Sequence, residues 1–237
     1  MKAEKVAIVT ASSRGIGAGC ARQLAKQGYT VALLARSASV LDLAESLGGF
    51  GMQGSVGSEQ DIESLVNTTL DRYGRIDAVV NSAYDPPRPD LLSISDELWQ
   101  EIFSLLFLSV VRVARYVTEP MIKAGGGVIV NISAADSHEP DPGTPFSGTI
   151  RTAMEGFTKM YSKQYATHGI RMISVAPYFV GDSMEEFDGW DVPSDLIWGR
   201  PPRYEEFAKV INFLVSDDAK YISGTTIKID GAWSKAI

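Results

Sequence analysis

Two stretches of this chain carry residue types that can do chemistry. Thr10-Ala11-Ser12-Ser13-Arg14-Gly15-Ile16-Gly17 follows the apolar run Val6-Ala7-Ile8-Val9 and opens an amphipathic segment. Glycines at a strand-to-helix turn let backbone come close to a pyrophosphate. The free N–H groups of the helix's first turn then face its negative charge. The second stretch, Asp136-Ser137-His138-Glu139, follows another apolar run and gathers two carboxylates, a hydroxyl and an imidazole. Imidazoles are the side chains most used for proton transfer, which makes His138 a candidate acid or base. Arg151 offers a guanidinium able to anchor an anion, either a cofactor phosphate or a substrate carboxylate. No metal site is expected.

Short apolar, β-branched runs that read as strands at 6–10, 30–35, 51–54, 76–81, 127–133, 170–177 and 226–230 must position these groups. Amphipathic stretches that read as helices lie at 15–27, 37–47, 59–73, 96–124, 147–168 and 204–216. Several strands are apolar nearly throughout, as strands buried on both faces should be. The alternation predicts an α/β fold, a Rossmann-type doubly wound parallel sheet of about seven strands with helices on both faces. Ligands of such sheets collect beyond the carboxyl ends of the strands. Two connections leave that end and break the rhythm. Segment 134–146 holds Pro140, Pro142 and Pro145, and segment 178–203 holds Phe179, Phe187, Trp190, Pro193, Trp198, Pro201 and Pro202. The second is long enough to be expected as a substrate lid. Its aromatics point to an apolar or ring-shaped small-molecule substrate.

At 237 residues the chain is expected to form a single domain over 1–237. Its net charge of −7, without a Lys/Arg block, argues against nucleic acid or an anionic membrane surface as partner. Cys20 is the one cysteine, so no internal disulfide forms, and its place in the first helical pattern reads as a small core residue. Met1–Lys5 leads into a strand without the apolar core of a signal peptide, and no apolar run reaches the roughly 18 residues of a spanning helix. A cytoplasmic, reducing location is the expectation.

The run from Thr10 to Gly17 resembles the Thr-Gly-x-x-x-Gly-x-Gly turn of the short-chain dehydrogenases/reductases, with Ala11 at the first glycine. Further matches extend over nearly the whole chain. Gly54-Ser55-Val56 stands where the family usually has an Asp-Val pair near the adenine, and Asn81-Ser82-Ala83-Tyr84 resembles Asn-Asn-Ala-Gly. Asp217–Gly224 and Asp230-Gly231 resemble the family's closing helix and strand. The resemblance implies a dinucleotide held by Thr10, Ser12, Ser13, Arg14, Gly15, Ile16, Gly17, Arg36, Ser55, Val56, Asn81, Ala83, Arg151, Pro177 and Val180. After the second strand this chain has Ala35-Arg36 and no acid that would bind a ribose 2′-hydroxyl. Arg36 and Arg14 therefore favour NADP(H) over NAD(H).

The same resemblance removes the family's reaction machinery. About thirty residues separate its catalytic tyrosine from a Pro-Gly, and here 30 positions separate Ser147 from Pro177-Tyr178. Ser147-Gly148-Thr149-Ile150-Arg151 thus stands in place of Tyr-x-x-x-Lys. Asn131-Ile132-Ser133-Ala134 places Ala134 at the catalytic serine, and counting from Trp99 places Leu106 at the catalytic asparagine. A serine hydroxyl is too weak an acid to replace a tuned phenol, and arginine does not release its proton. Loss of the acid alone is expected to cost roughly 10² to 10⁴ in rate. Replacement donors at the same mouth are His138 and the phenol of Tyr84, expected beside Arg151.

Three readings follow. The first is an atypical NADP(H)-binding oxidoreductase acting on a small apolar or cyclic carbonyl or alcohol, with a rebuilt proton donor. The second is a non-catalytic NADP(H)-binding sensor or partner subunit. The third is a cofactor-independent lyase, dehalogenase or isomerase. Arginine at the lysine position echoes the halohydrin dehalogenases, but those lack the glycine-rich turn kept here. In the family the helices at 96–124 and 147–168 pack subunits together, so a homodimer or homotetramer is expected.

Overall fold

The computed structural model describes residues 4–187 and 196–235. Its strands are β1 (Val6–Thr10), β2 (Thr30–Ala35), β3 (Phe50–Gln53), β4 (Ala78–Asn81), β5 (Gly127–Ile132), β6 (Ile170–Pro177) and β7 (Thr226–Ile229). They form one seven-stranded sheet in the order β3-β2-β1-β4-β5-β6-β7, parallel at every pairing. The chain winds outward from β1 to β3, then returns to build β4 to β7 on the other side. Between β1 and β4 the strand order reverses, which leaves a crevice at their carboxyl ends.

The helices are α1 (Gly15–Lys26), α2 (Ser39–Ser46), α3 (Glu59–Tyr73), α4 (Asp96–Phe103), α5 (Ser109–Lys123), α6 (Thr152–Tyr165) and α7 (Tyr204–Val215). They cover both faces of the sheet. In β1, Ala7 and Val9 belong to a core with Leu24 of α1 and Phe207 and Ile211 of α7. Ile8 points the other way, into a core with Ile62 and Leu65 of α3 and Val113 and Val117 of α5. Successive residues of a strand face opposite sides, so a two-sided sheet needs apolar residues at every position. Among the described residues, no helix is long and apolar enough to cross a membrane.

Two expected helices are interrupted. The segment expected as one helix over 96–124 contains a π-helical turn at Ser104–Leu108. There Ser109 Oγ donates to the Leu105 carbonyl at 2.6 Å, and Arg112 donates to Ser104 Oγ at 3.0 Å. The segment expected over 147–168 opens with a second π-helical turn, Ser147–Arg151, and closes with a 3₁₀ turn, Ala166–His168. Thr149 Oγ1 bonds the Pro145 carbonyl at 2.5 Å and Thr152 Oγ1 the Gly148 carbonyl at 2.6 Å. Hydroxyls that bond back to carbonyls one turn earlier compete with the regular ladder and bend the helix. The fourth strand starts at Ala78 rather than 76, and just before it the Asp77 carboxylate accepts the Val6 N–H at 2.8 Å and Arg75 Nε at 2.9 Å.

Candidate cofactor and active site

The turn after β1 is built around two backbone constraints. Ala11 has φ of +48°, left-handed for a residue with a Cβ. Gly17 packs so tightly that a Cβ there would stand 2.5 Å from the Ala11 carbonyl oxygen. This close packing carries α1 straight out of the turn. Ser58 caps α3 and Ser95 caps α4, each with an acid in the first turn. Helix α1 has neither a capping side chain nor an acid. Its first N–H groups are therefore left for an anion. Arg14 and Arg36 lie exposed at the same edge, and among the described residues neither pairs with a carboxylate. This donor set fits a phosphate-rich dinucleotide. Tyr204 of α7 packs against the turn, 3.8 Å from where a Gly15 Cβ would be, and its hydroxyl donates to Glu186 at 2.5 Å.

Three residues expected to hold the cofactor use their side chains elsewhere. Ser12 Oγ donates to the Val9 carbonyl at 3.1 Å. Thr10 Oγ1 donates to the Ser82 carbonyl at 2.8 Å and accepts the Ser82 N–H at 2.9 Å. Asn81 donates to Asn131 at 2.8 Å, and Asn131 to Thr158 at 3.0 Å. These contacts tie the ends of β1, β4 and β5 together, and the Ser12 N–H is likewise committed, to the Leu34 carbonyl at 3.2 Å. Ser55 Oγ accepts the Gly57 N–H at 3.2 Å, and the Ser55 N–H donates to Asp61 at 2.8 Å. Val56 and Ala83 line a small pocket, open to solvent, with Asn81, Leu106 and Arg151. Pro177 ends β6, and Val180 just beyond it is buried. Ser13 and Ile16 are half-buried in the turn.

In the other half, Arg151 is only 7% exposed. It donates through Nη1 to the Ile132 carbonyl, while its buried Nε has no partner. Burial pushes the guanidinium down from its ordinary value, and Asp85, Asp136 and Glu155 oppose that shift. One helical turn further on, Glu155 accepts the hydroxyls of Ser133 and Ser137, each at 2.5 Å. Its second oxygen lies 3.2 Å from His138 Nε2, an ion-pair distance without hydrogen-bond geometry. His138 is thus turned inward rather than standing on the surface. Ser147 is buried and lines a shallow surface cleft with Asp85, Pro87, Thr144 and Phe146. The Asp85 side chain is 43% exposed. The protein around it nevertheless pushes its carboxyl up, opposed by Arg88 and Arg151.

Tyr84 does not pair with Arg151. Its ring lies 4.2 Å under the Arg36 guanidinium. The expected lid aromatics also pack differently. Phe179 and Phe187 meet edge-on at 5.1 Å and are buried, whereas Trp198 is 76% exposed. Trp190 and Pro193 fall outside the described residues. The C-terminal segment instead supplies Trp233, stacked on Tyr178 at 4.0 Å. Sequence reasoning missed Glu155, Asp85 and Trp233 as site residues. Only Glu155 carried a signal, standing four positions after Arg151 and so on the same helix face. Among the described residues, no group of His, Cys, Asp and Glu is placed to hold a metal ion.

A doubly wound sheet with an uncapped glycine turn at its switch point defines the class of dinucleotide-binding Rossmann-type proteins. Comparison narrows the class. A family model described as Enoyl-(Acyl carrier protein) reductase matches residues 10–234. The chain is 33% identical to a 3-oxoacyl-[acyl-carrier-protein] reductase of Synechocystis, over 96% of each chain. It is 32% identical to dehydrogenase/reductase SDR family member 4 of Oryctolagus cuniculus, over 97% of this chain and 93% of that one. The structure resembles acetoin dehydrogenase from Enterobacter cloacae with a TM-score of 0.89 at 27% identity, covering 100% and 98% of the two chains. It resembles L-sorbose reductase from Gluconobacter frateurii, in complex with NADPH and L-sorbose, with a TM-score of 0.90 at 25% identity over 99% and 98%. The chain belongs to the short-chain dehydrogenase/reductase superfamily.

Proposed function

We propose that the chain is an NADP(H)-dependent oxidoreductase of small carbonyl or alcohol substrates, with a proton-transfer group different from Tyr-x-x-x-Lys. The observation that carries this reading is the uncapped first turn of α1 flanked by Arg14 and Arg36, neither paired with an acid among the described residues. The relatives' activities support it, as does the NADPH named with the sorbose reductase. Bound NADP(H) supplies or takes the hydride.

The chain's own residues do the rest. Arg151 presents fixed positive charge at the end of β5, where a carbonyl oxygen gains negative charge during reduction. His138 gives its proton to that oxygen, so that hydride and proton together make the alcohol. Glu155 faces the imidazole 3.2 Å from Nε2 and is itself held by Ser133 and Ser137. Ser147 forms part of the cleft wall and is not the acid. Tyr178 and Trp233 offer a flat apolar surface for the substrate. A row of rings along α4 to α6 favours a homo-oligomer formed through those helices: Phe103 on Phe107 at 4.9 Å, Phe107 by Phe157 at 6.0 Å, and Tyr161 by Tyr165 at 4.6 Å.

Titrating NADPH by its fluorescence, then screening a panel of small ketones and alcohols, tests the reading. Expected are saturable NADPH binding, turnover of at least one member, and a fall of about 10²-fold or more in kcat for His138→Ala. Absence of NADPH binding would sink it. The sensor reading rests on the apolar Ala134 and Leu106 at the mouth, and it predicts binding with no turnover across the panel.

A further inference from the structure

We propose that Tyr84 is a specificity-determining residue of the cofactor site, acting as an aromatic platform that fixes Arg36 for the 2′-phosphate of NADP(H). The proposal rests on the NADP(H) reading above and deepens it.

The sheet order makes the contact informative. Arg36 follows β2, and Tyr84 lies just beyond the end of β4. These strands are not neighbours, because β1 runs between them. Neighbouring strands stand about 4.8 Å apart, so the two residues reach toward each other across roughly 10 Å of sheet. Their contact therefore spans the carboxyl end of β1, where the turn from Ala11 to Gly17 begins.

Each partner is held from behind. Tyr84 is half-buried and packs on the core that contains Ile8, Leu34 and Val56. The Arg36 carbonyl accepts Gln53 Nε2 at 2.9 Å, which ties its backbone to the β3 edge. Beyond that, the Arg36 side chain meets no carboxylate among the described residues, and it lies over the Tyr84 ring, with Cζ 4.2 Å from the centroid. A guanidinium resting on a ring at this distance spends none of its N–H donors on a carboxylate. Those donors form the fork that takes two oxygens of a phosphate. The ring thus removes rotamers of a long exposed side chain without using any of its donors. The ordering cost of binding falls accordingly. A phenyl ring performs the same task, so the phenol hydroxyl is not required.

The test measures Kd for NADPH and for NADH by cofactor fluorescence, in the unsubstituted chain and in Tyr84→Phe, Tyr84→Leu, Arg36→Ala and the Tyr84→Leu/Arg36→Ala double variant. Tyr84→Leu keeps apolar volume over the core and removes the π face, so folding is retained. A cation–π contact at an exposed site corresponds to about a two- to fivefold change in Kd. Tyr84→Leu is expected to weaken NADPH by that factor and leave NADH unchanged, while Tyr84→Phe matches the unsubstituted chain. In the Arg36→Ala background, Tyr84→Leu is expected to have no further effect. The proposal is overturned if Tyr84→Leu binds NADPH equally or more tightly, as it would if the ring blocked the crevice. It is also overturned if NADH weakens in parallel, if Tyr84→Phe behaves like Tyr84→Leu, or if the effect survives without Arg36. Failure of the unsubstituted chain to bind either cofactor overturns the NADP(H) reading and this proposal together. Normal binding without Tyr84 dependence overturns this proposal alone.

Discussion

Replacing Glu155 by alanine should be among the most damaging single changes at the mouth of the site. The carboxylate accepts Ser133 Oγ and Ser137 Oγ at 2.5 Å each and faces His138 Nε2 at 3.2 Å. Ser137 has a second acceptor, the Ala134 carbonyl at 2.7 Å, so its hydroxyl survives the loss. Ser133 is 2% exposed and donates to Glu155, so the substitution leaves its hydroxyl buried and unsatisfied. An orphaned buried hydroxyl costs about 1–3 kcal/mol, and a bond to a charged acceptor contributes about 1.5–3 kcal/mol. These terms overlap, because both describe the same contact. Arg151 also loses one of the three carboxylates that favour its charge. The expected loss is about 2–4 kcal/mol of stability. For a chain of this length that is a fall in Tm of about 4–16 °C. Glu155→Gln keeps one oxygen acceptor and should cost about 1 kcal/mol. Urea unfolding followed by circular dichroism gives both values. If Glu155→Ala unfolds within about 0.5 kcal/mol of the unsubstituted chain, the serines are solvated and the carboxylate does not organise the loop.

Three further outcomes can be checked. Gly17→Ala places a Cβ 2.5 Å from the Ala11 carbonyl oxygen, all against backbone, and should cost about 1–3 kcal/mol and abolish NADPH binding. Unchanged binding would show that the turn has slack. Ala11→Gly relieves a left-handed φ of +48° and should raise stability by about 1 kcal/mol in urea unfolding, and a lower midpoint would count against strain at that turn. The Cys20 thiol is buried and pushed up to about 12, so it stays protonated and should resist iodoacetamide at about pH 8.5 until denaturant is added, whereas rapid native labelling would contradict its burial.

How far the sequence reached differs between the fold and the site. Strands such as Val6–Thr10 and Ile170–Pro177 are apolar at nearly every position, and no other element accommodates that pattern between polar turns. Their order, the parallel sheet and the glycine turn were legible for that reason. The π-helical turns at Ser104–Leu108 and Ser147–Arg151 were not, since they depend on which hydroxyl bonds back to which carbonyl. Likewise, Thr10 and Ser12 carry hydroxyls suited to a phosphate, and only their partners show that β1 uses them.

The sequence by itself determined the doubly wound fold, the glycine-rich turn after β1, the absence of an acid directly after β2, and Ser147-x-x-x-Arg151 at the start of the sixth helical segment. Each of these is local, set by residue type and spacing along a few neighbours. Tertiary structure alone decided that the Tyr84 ring lies against Arg36, and that Glu155 gathers Ser133, Ser137 and His138. Those pairings join residues tens of positions apart or on different elements. They follow from strand order and from the turn of α6 against β5, which fix where side chains meet once the sheet has formed.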